Sequence, residues 1–394
     1  MTRPLIPSAR TRSAWLPSSA LAAALAIGVL AMPSTTRMAQ PQEPKAPDAQ
    51  PADNQPPAEP AIEPVKVRGA ENNAAKSEFT ATMDRSVNRG LAWLARKQNP
   101  DGSFGGMQTG PSVAISALGG LAFMSDGNLP DRGPYGDSVT KALEFVLKNC
   151  SDNGLIAADA GAAPMYGHGF ATLFLGEIYG MTSGGGDTTQ AQRIHEALVR
   201  AVRLIESSQN EEGGWRYNPV PLEADTSVTI CQIMGLRSAR NAGIEVSKGV
   251  IDRAVDYVRR AQNADGGFKY QLTGGPSAFP RSAASVASLQ YAGIYDDPAI
   301  VRGLQYLLRR NLPGNGQSLS MQHYFYGQYY AVQAAYLAGG ETWATWWPAV
   351  REELIEAQRP DASWADQQVG EHYGTAMALI VLQMPKRYLP IFQR

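Results

Sequence analysis

Two kinds of apolar segment alternate along the chain from residue 79 onward. In the first kind, apolar side chains recur at intervals of three and four, as in residues 84–97, 191–208 and 248–262, which predicts helices with one buried face. The second kind is rich in small residues and apolar on nearly every side, which predicts helices enclosed by protein. Its members are residues 112–123, 169–179, 227–238, 283–292, 327–338 and 374–382. The pattern therefore predicts outer helices that cover a set of inner helices.

A short polar unit stands between each outer helix and the inner helix that follows. It consists of Gln, two residues, an acidic residue, a small residue, any residue and an aromatic residue. Clear copies begin at Gln98, Gln209, Gln262 and Gln358, and weaker copies begin at Asn149 and Asn311. Internal repeats of this length are typical of stacked helical hairpins, each of which buries its apolar face against its neighbours.

Six outer–inner pairs can enclose their inner helices completely by closing into a ring. The first predicted helix is an outer one and the last is an inner one, as closure through the two ends requires. An open solenoid is the alternative, but neither end carries a distinct polar capping repeat. We therefore predict an all-α fold, an α/α toroid (α6/α6 barrel) of six helical-hairpin repeats over residues 79–394.

The repeated loops resemble the QW motifs of the terpenoid cyclase and protein prenyltransferase superfamily, also called prenyltransferase and squalene oxidase repeats. The resemblance extends upstream of the first copy, where Arg89, Trp93 and Gln98 stand in the order of the fuller motif. In that superfamily the Gln and the aromatic ring join one helical pair to the next. The resemblance therefore implies a structural role for the four loops, and a squalene cyclase-like toroid with a central cavity.

Neither chemistry of that superfamily has its full set of residues in this chain. Squalene-type cyclases use a DxDD motif, and the matching stretch keeps Asp225 but has Leu222 and Ala224 at the first and the proton-donating Asp positions. Protein prenyltransferases bind zinc through an Asp-x-Cys pair and a distant His. Here Cys231 lies six residues after Asp225, and Gly374 stands at the His position. We therefore predict no metal site of that type and no cofactor.

The candidate site lies where the inner helices begin. Every loop leads from an outer helix into an inner one, so all inner helices start on the same side of the ring, and their positive ends converge on the cavity there. Alignment of the helix starts places Asp225, His168 and His372 at this opening as candidate catalytic residues. The candidate ligand-binding residues around it are Tyr166, Arg281, His323, Tyr324, Tyr326, Tyr330 and Glu371. Helix capping by Asp225 is the structural alternative.

Composition and charge exclude several classes of protein. The chain has 35 Lys and Arg against 36 Asp and Glu, and this balance argues against binding to nucleic acid. Two cysteines and four histidines are too few for a zinc ribbon, an iron–sulfur cluster or a disulfide framework. Cys150 and Cys231 can form one disulfide or remain buried thiols.

The N-terminal part differs from the rest of the chain. Arg3, Arg10 and Arg12 precede an apolar stretch at residues 21–31, so residues 1–32 are predicted to be a signal peptide or an N-terminal anchor. Residues 33–78 are rich in Pro, Ala and Gln and are predicted to be a disordered linker. These features predict a secreted or periplasmic protein that contacts a membrane only through an N-terminal anchor.

Two main classes of function fit these features. The first is an exported enzyme that acts on an isoprenoid or other lipid in the central cavity, with Asp225 as the acid. The second is a non-catalytic protein that binds a hydrophobic small molecule, a peptide or a glycan in the same cavity, and a carbohydrate-active toroid is a third reading. A second carboxylate beside Asp225 would favour the cyclase-type enzyme, whereas use of Asp225 as a helix cap would favour the binding protein.

Overall fold

The computed structural model describes residues 78–106, 110–158, 163–182, 188–314 and 318–393. The predicted signal or anchor, and all of the predicted linker except Glu78, lie outside the described residues. Twelve α-helices occur within the described residues. In chain order they are α1 (Ala81–Lys97), α2 (Val113–Met124), α3 (Gly136–Lys148), α4 (Pro164–Thr182), α5 (Thr188–Ser207), α6 (Thr226–Asn241), α7 (Lys248–Arg260), α8 (Phe279–Tyr291), α9 (Pro298–Arg310), α10 (Tyr324–Ala338), α11 (Gly340–Ala357) and α12 (Glu371–Gln383).

The non-helical and short elements are few in the described part of the chain. Strands β1 (Phe104–Gly106) and β2 (Gly110–Ser112) form one antiparallel hairpin, with Phe104 opposite Ser112. Three short 3-10 helices cover Ser318–Ser320, Met384–Lys386 and Pro390–Phe392. None of the described helices is long and apolar enough to cross a lipid bilayer.

The even-numbered helices form the inner layer, and they close into a ring. Helices α2, α4, α6, α8, α10 and α12 each pack against the next, and α12 packs against α2. Burial matches the predicted pattern, since every residue of α2 is buried whereas α1 buries only one face. The all-α toroid predicted from the sequence is therefore confirmed, and the open solenoid is excluded.

The inner helices run parallel, so they all begin on the same face of the ring, which we call the mouth. Near the start of α4, the side-chain amide of Gln232 donates to the carbonyl oxygen of Met165 (2.8 Å). Further along the same two helices, the hydroxyl of Ser238 donates to the carbonyl oxygen of Leu173 (3.1 Å). The rising numbers on both helices show the parallel direction. Small residues permit this close approach: a Cβ on Gly169 would lie only 2.9 Å from the carbonyl oxygen of Cys231.

Four glutamines join neighbouring outer helices in the same way. Each side-chain amide donates one hydrogen bond to the backbone oxygen four residues ahead, within its own loop. It donates a second to a backbone oxygen of the next outer helix or its start. The second acceptors are Ser138 for Gln98, Val250 for Gln209, Ala299 for Gln262 and Ser86 for Gln358. Because Ser86 belongs to α1 and Gln358 follows α11, the last of these bonds closes the ring between its two ends.

The C-terminal tail packs against the face opposite the mouth. The 3-10 helix Pro390–Phe392 packs against α4 and α6, and Ile391 is 1 % exposed. The backbone N–H of Ile391 donates to Glu177 Oε2 (3.0 Å), and the hydroxyl of Ser238 donates to Glu177 Oε1 (2.7 Å). Burial raises the pKa of Glu177 to about 7. The tail therefore belongs to the folded body.

Glu78, which the sequence placed at the end of the linker, is part of the same body. The indole N–H of Trp343 donates to Glu78 Oε1 (2.7 Å), and the indole N–H of Trp347 donates to the backbone oxygen of Glu78 (3.2 Å). Both tryptophans lie in α11, so the chain enters the ring against the last outer helix. The folded body thus extends to Glu78 at least, one residue beyond the predicted boundary.

Candidate functional site

His168 lies near the start of α4 and is fully buried. Its Nδ1 accepts a hydrogen bond from the backbone N–H of Ile156 (3.2 Å), and its Nε2 lies 3.3 Å from the backbone oxygen of Ala201 on outer helix α5. The tautomer protonated at Nε2 satisfies both contacts. Burial lowers the pKa of His168 to about 4, so the ring is neutral near pH 7. Both ring nitrogens are therefore engaged by the backbone, and the side chain points outward to α5.

Other inner helices carry a serine or threonine at the position of His168. Its side-chain oxygen accepts a hydrogen bond from the backbone N–H of the aromatic residue in the preceding loop. The pairs are Ser116 with Phe104, Thr229 with Trp215, Ser282 with Phe268 and Thr375 with Trp364. In α6 the residue that corresponds to His168 is Thr229. Asp225 lies four residues before it, which is about one helical turn earlier. The sequence alignment, which put His168 and Asp225 at equivalent positions, is therefore wrong by one turn.

The loop before α4 lacks the aromatic residue that the four clear copies of the unit carry. Ile156 stands at the place that Trp215 occupies in the next loop. The indole N–H of Trp215 donates to the backbone oxygen of Ile205 on the outer helix before its loop (2.7 Å), whereas the imidazole of His168 contacts Ala201 on the outer helix that follows its inner helix. The imidazole thus supplies the acceptor that a serine or threonine supplies in the other pairs and adds a contact to the next outer helix, which makes His168 part of the framework of the ring.

His372 and Glu371 lie at the mouth where the last pair meets the first. Nδ1 of His372 lies 3.2 Å from the backbone nitrogen and 2.9 Å from the backbone oxygen of Gly105 in β1. Its ring meets the edges of Trp93 and Phe104, with centroids 5.6 and 5.7 Å away. Burial lowers the pKa of His372. Glu371 forms a partly exposed ion pair with Arg359 (2.5 Å). His372 therefore binds the last pair to the first, whereas the ion pair of Glu371 lies within the last pair.

Arg281 is held by the backbone at the start of α8. Its Nε–H donates to the backbone oxygen of Phe268 (2.9 Å), and a terminal N–H donates to that of Pro276 (2.6 Å). The guanidinium also lies over the ring of Tyr270, 5.9 Å from its centroid. Arg281 therefore fixes the loop that carries Tyr270 and leaves part of its charge beside that ring.

Asp225 is the N-cap of α6, and its side chain is fully buried. Its Oδ1 accepts a hydrogen bond from the backbone N–H of Val228 (2.9 Å), whereas Oδ2 is buried and has no hydrogen-bond partner among the described residues. Burial raises the pKa of Asp225 to about 7, although the bond from Val228, the charge of Arg216 and the nearby hydroxyl of Tyr270 favour the ionised form. The carboxyl therefore has one oxygen that serves the helix and one that faces the surrounding side chains unpaired.

Tyrosines surround that unpaired oxygen. The hydroxyls of Tyr217 and Tyr270 are hydrogen-bonded to each other (2.5 Å), and the ring of Tyr166 lies 6.2 Å from that of Tyr217. The Tyr166 hydroxyl is buried without a partner in the described part of the chain, and burial together with the nearby charge of Asp225 raises its pKa well above 10. We call Asp225, Tyr166, Tyr217 and Tyr270 the acid–tyrosine cluster.

Two members of this cluster were not found from the sequence, although a signal was present. Tyr217 and Tyr270 each stand two residues after the aromatic residue of their loop, Trp215 and Phe268. The same offset after Trp364 gives Asp366, which also lies at the mouth. A comparison of this offset between loops would have identified all three residues.

Two tyrosines of α10 lie in the interior of the ring. The hydroxyls of Tyr326 and Tyr330 lie 4.0 and 3.7 Å from Cys231 Sγ on α6, and the Tyr326 hydroxyl donates to the backbone oxygen of Ser227 (3.3 Å). Tyr326 and Tyr330 therefore point to the axis, beside the acid–tyrosine cluster. Tyr324 points the other way, because its hydroxyl donates to Glu353 on outer helix α11 (3.1 Å).

Both cysteines are free thiols, so the open question of a disulfide is settled in favour of unpaired residues. Cys231 lies in the centre, and burial raises its pKa to about 12. Cys150 follows α3, and burial raises its pKa to about 11. A thiol of either kind is a poor nucleophile at neutral pH. Among the described residues, no three His, Cys, Asp or Glu side chains are grouped as metal ligands.

His323 lies apart from the acid–tyrosine cluster, in an open cleft at the mouth. The cleft has a volume of about 140 Å³ and is lined by residues 319–325, at the start of α10, and residues 365–368, in the loop before α12. Nε2 of His323 is buried and has no hydrogen-bond partner within the described residues. The mouth thus presents two groups of polar side chains, one around Asp225 and one around His323.

Comparison with known sequences gives only partial matches, and no family model matches the chain. An alpha-2-macroglobulin from Thermotoga maritima is 24 % identical over 120 residues, which cover 30 % of this chain and 8 % of that protein. A drimenyl diphosphate synthase from Streptomyces showdoensis is 23 % identical over 179 residues, which cover 45 % of this chain and 31 % of the synthase. The matched part thus spans less than a third of either relative.

Solved structures match over most of the body. The type II terpene cyclase MstE from Scytonema matches with a TM-score of 0.53 and 17 % identity, over 79 % of this chain and 98 % of the cyclase. An α-1,6-mannanase from Salegentibacter matches with a TM-score of 0.58 and 6 % identity, over 76 % and 98 % of the two chains. A cellobiose 2-epimerase from Bacillus thermoamylovorans matches with a TM-score of 0.57 and 10 % identity, over 78 % and 100 %. The chain therefore has a terpenoid cyclase-like α/α-toroid fold, which carbohydrate-active enzymes share.

Proposed function

We propose that this protein is an exported, terpenoid- or lipid-directed enzyme whose ligand occupies the aromatic interior beside Asp225. The observation that carries the proposal is Asp225 Oδ2, an unpaired carboxyl oxygen that is buried among tyrosines. Burial raises the pKa of this carboxyl to about 7, so near neutral pH a large share of the molecules hold a proton there. A proton on Oδ2 could be donated to a ligand without disturbing the cap that Oδ1 provides.

The surrounding rings suit a reaction in which positive charge develops. If Asp225 transfers its proton to a carbon–carbon double bond, the carboxylate remains on the protein and a carbocation remains on the ligand. Tyr166, Tyr326 and Tyr330 are aromatic, buried and close to Asp225 or to each other, and aromatic faces stabilise cations at close range. Two similar proteins support this reading, since one is named a drimenyl diphosphate synthase and MstE has been solved with geranylgeranyl dihydroxybenzoate.

A binding protein without chemistry is the second candidate, and the geometry of Asp225 favours it in one respect. Oδ1 is already used as a helix cap, and Glu223, the nearest acid in sequence, is paired with Arg216 (2.5 Å) and mostly exposed. Asp225 therefore lacks a neighbouring carboxylate, which would raise its pKa further and help it hold a proton. The carbohydrate-active reading has the support of the mannanase and the epimerase, whose fold is the same.

The decisive experiment uses the full chain and three proteins: wild type, Asp225→Asn and Asp297→Asn. Asn preserves a cap at either position, and Asp297 caps the outer helix α9, so it serves as the matched control. Mass spectrometry would identify apolar compounds that co-purify with each protein, and gas chromatography would follow added geranylgeraniol and squalene.

The enzyme proposal predicts products with the wild type and with Asp297→Asn but none with Asp225→Asn. Recovery of one unchanged apolar compound from all three proteins would support the binding protein instead. If none of the proteins binds an apolar compound, both readings of the interior fail. Export is tested separately, by sequencing the N-terminus of the protein recovered outside the cytoplasm, where cleavage near residue 32 is expected.

A further inference from the structure

The cleft around His323 is a second polar feature of the mouth, distinct from the acid–tyrosine cluster. Its two sides are the segment that begins α10 and the loop before α12, so it lies between the fifth and sixth outer–inner pairs. Its lining combines an apolar wall, which includes Leu319, Met321 and Phe325, with the side chains of several polar residues. A concave site with an apolar wall and a few polar groups is the usual form of a small-molecule site.

His323 has a conformation that the chain must hold in place. Its φ of 59° and ψ of 36° are left-handed, a region that few residues other than glycine adopt. The residue precedes α10 but does not cap it through its side chain. Burial lowers the pKa of His323 and the charge of Arg281 acts in the same direction, whereas the carboxylate of Asp366 opposes them. The imidazole is therefore neutral near pH 7, with one nitrogen left unpaired at Nε2.

Asp366 gives the cleft its charge. Its Oδ1 accepts hydrogen bonds from the backbone N–H groups of Gln368 and Val369 (2.9 Å each), so the carboxylate is fixed in position. No lysine or arginine is among the described lining residues, so a phosphate group would meet the charge of Asp366 with only the positive end of α10 to offset it. A cation would in turn meet the positive end of α10, which begins at the cleft.

An uncharged ligand remains, and the polar groups specify its kind. A neutral imidazole and the amides of Gln322, Gln367 and Gln368 each offer both donors and acceptors, and Asp366 offers acceptors. Hydroxyl groups also donate and accept, so a group with several hydroxyls can satisfy this set. We propose that the cleft around His323 binds the uncharged, hydroxylated head of an amphiphile, such as a sugar.

This inference rests on the proposed function for the apolar part of the ligand, and the two parts of the mouth are adjacent. Together with burial, the charge of Arg281 lowers the pKa of His323, and the same guanidinium lies over the ring of Tyr270 in the acid–tyrosine cluster. Tyr373 lies close to both Asp366 and Cys231, and in addition to burial each of them raises its pKa. An amphiphile could therefore place its head at Asp366 and its apolar part beside the central tyrosines.

Three probes that share an octyl group but differ in their polar head separate the contribution of the head from that of the apolar tail. They are octyl β-glucoside below its micelle concentration, 1-octanol and octyl phosphate. Calorimetric titration of the full chain should show about tenfold tighter binding of the glucoside than of octanol, as two or three net hydrogen bonds would give. Octyl phosphate should bind no more tightly than octanol.

Variants assign the effect to the cleft. His323→Asn keeps a residue that tolerates the left-handed conformation and should reduce glucoside binding to the level of octanol. Gln367→Ala, at an exposed position, should weaken glucoside binding about threefold even if His323→Asn fails to fold. Gln192→Ala, on the exposed face of α5, is the matched control and should change nothing.

The outcomes distinguish this inference from the proposed function. The cleft inference is wrong, and the apolar site stands, if octanol and the glucoside bind equally well. The same conclusion follows if the glucoside binds more tightly but His323→Asn and Gln367→Ala leave that preference unchanged. If no octyl probe binds but methyl β-glucoside does, the apolar site is wrong and the cleft stands. A preference for octyl phosphate would overturn the argument from charge.

Discussion

The buried carboxyl of Asp225 gives the protein a pH-dependent stability that can be measured without a ligand. Burial raises its pKa from 3.8 to about 7 in the folded state. Because the folded pKa lies above the unfolded one, the folded state binds the proton more tightly. The stability that this proton contributes is complete below pH 4 and is lost as the pH rises through 7. In Asp225→Asn this titration is absent, while an oxygen remains for the N–H of Val228.

The size of the effect follows from the two pKa values. Between pH 5 and pH 8 the unfolded carboxyl is ionised throughout, whereas the folded one gives up its proton near pH 7. About two pH units of protonation are therefore lost, and at 1.36 kcal/mol per unit this amounts to about 2 to 3 kcal/mol. Other buried groups, such as Glu177 and His168, titrate in both proteins and cancel from the difference.

Urea denaturation at pH 5 and pH 8 measures the effect. The free energy of unfolding of Asp225→Asn, relative to the wild type, should rise by about 2 to 3 kcal/mol between the two pH values. Asp361→Asn is the control, because hydrogen bonds from Ser363 lower the pKa of Asp361 and it titrates below this range. A difference between wild type and Asp225→Asn that is the same at both pH values would refute the protonated carboxyl, and with it the proton donor.

Three further predictions test the framework by urea denaturation. His168→Ser keeps an acceptor but loses the contact to α5 and leaves a cavity, so the free energy of unfolding should fall by about 2 to 3 kcal/mol while the folded protein still binds ligand. Loss of ligand binding by the folded variant would contradict a purely structural role. Gln358→Ala removes the bond to Ser86 and should cost about 2 kcal/mol, with faster hydrogen exchange in α1. Gly120→Ala would bring a Cβ within 2.4 Å of Phe174 and should cost about 1 to 3 kcal/mol; an unchanged midpoint would show that α2 and α4 can separate.

The fold could be predicted because its determinants are local in sequence. A segment that is apolar on every side, such as α2, predicts a helix enclosed by protein. A segment with one apolar face, such as α1, predicts an outer helix. The repeated loops mark the connections between outer and inner helices, and six such pairs can close into a ring. The bond from Gln358 to Ser86 could not be read directly, but it repeats a contact that three other loops make.

The site was harder to predict because it depends on which way each side chain points. His168 stands near a helix start, as a mouth residue would, but contacts with the backbone of Ile156 and Ala201 hold its side chain outward. Tyr324 was expected at the cavity together with Tyr326, yet a contact with Glu353 on another helix takes it to the outside. Such choices depend on partners far away in the sequence, and periodicity carries no information about them.

Both ends of the described body lie on the face opposite the mouth. Outer helices begin there, and Glu78 enters beside the start of α11, while the C-terminal tail packs near the ends of α4 and α6. An affinity tag, a surface linkage or a fused domain joined directly at Glu78 or at the C-terminal tail would therefore sit about one helix length, roughly 20 Å, behind the opening. Immobilising the protein through the C-terminus should leave the opening directed to the solution, which makes captured protein suitable for ligand screening.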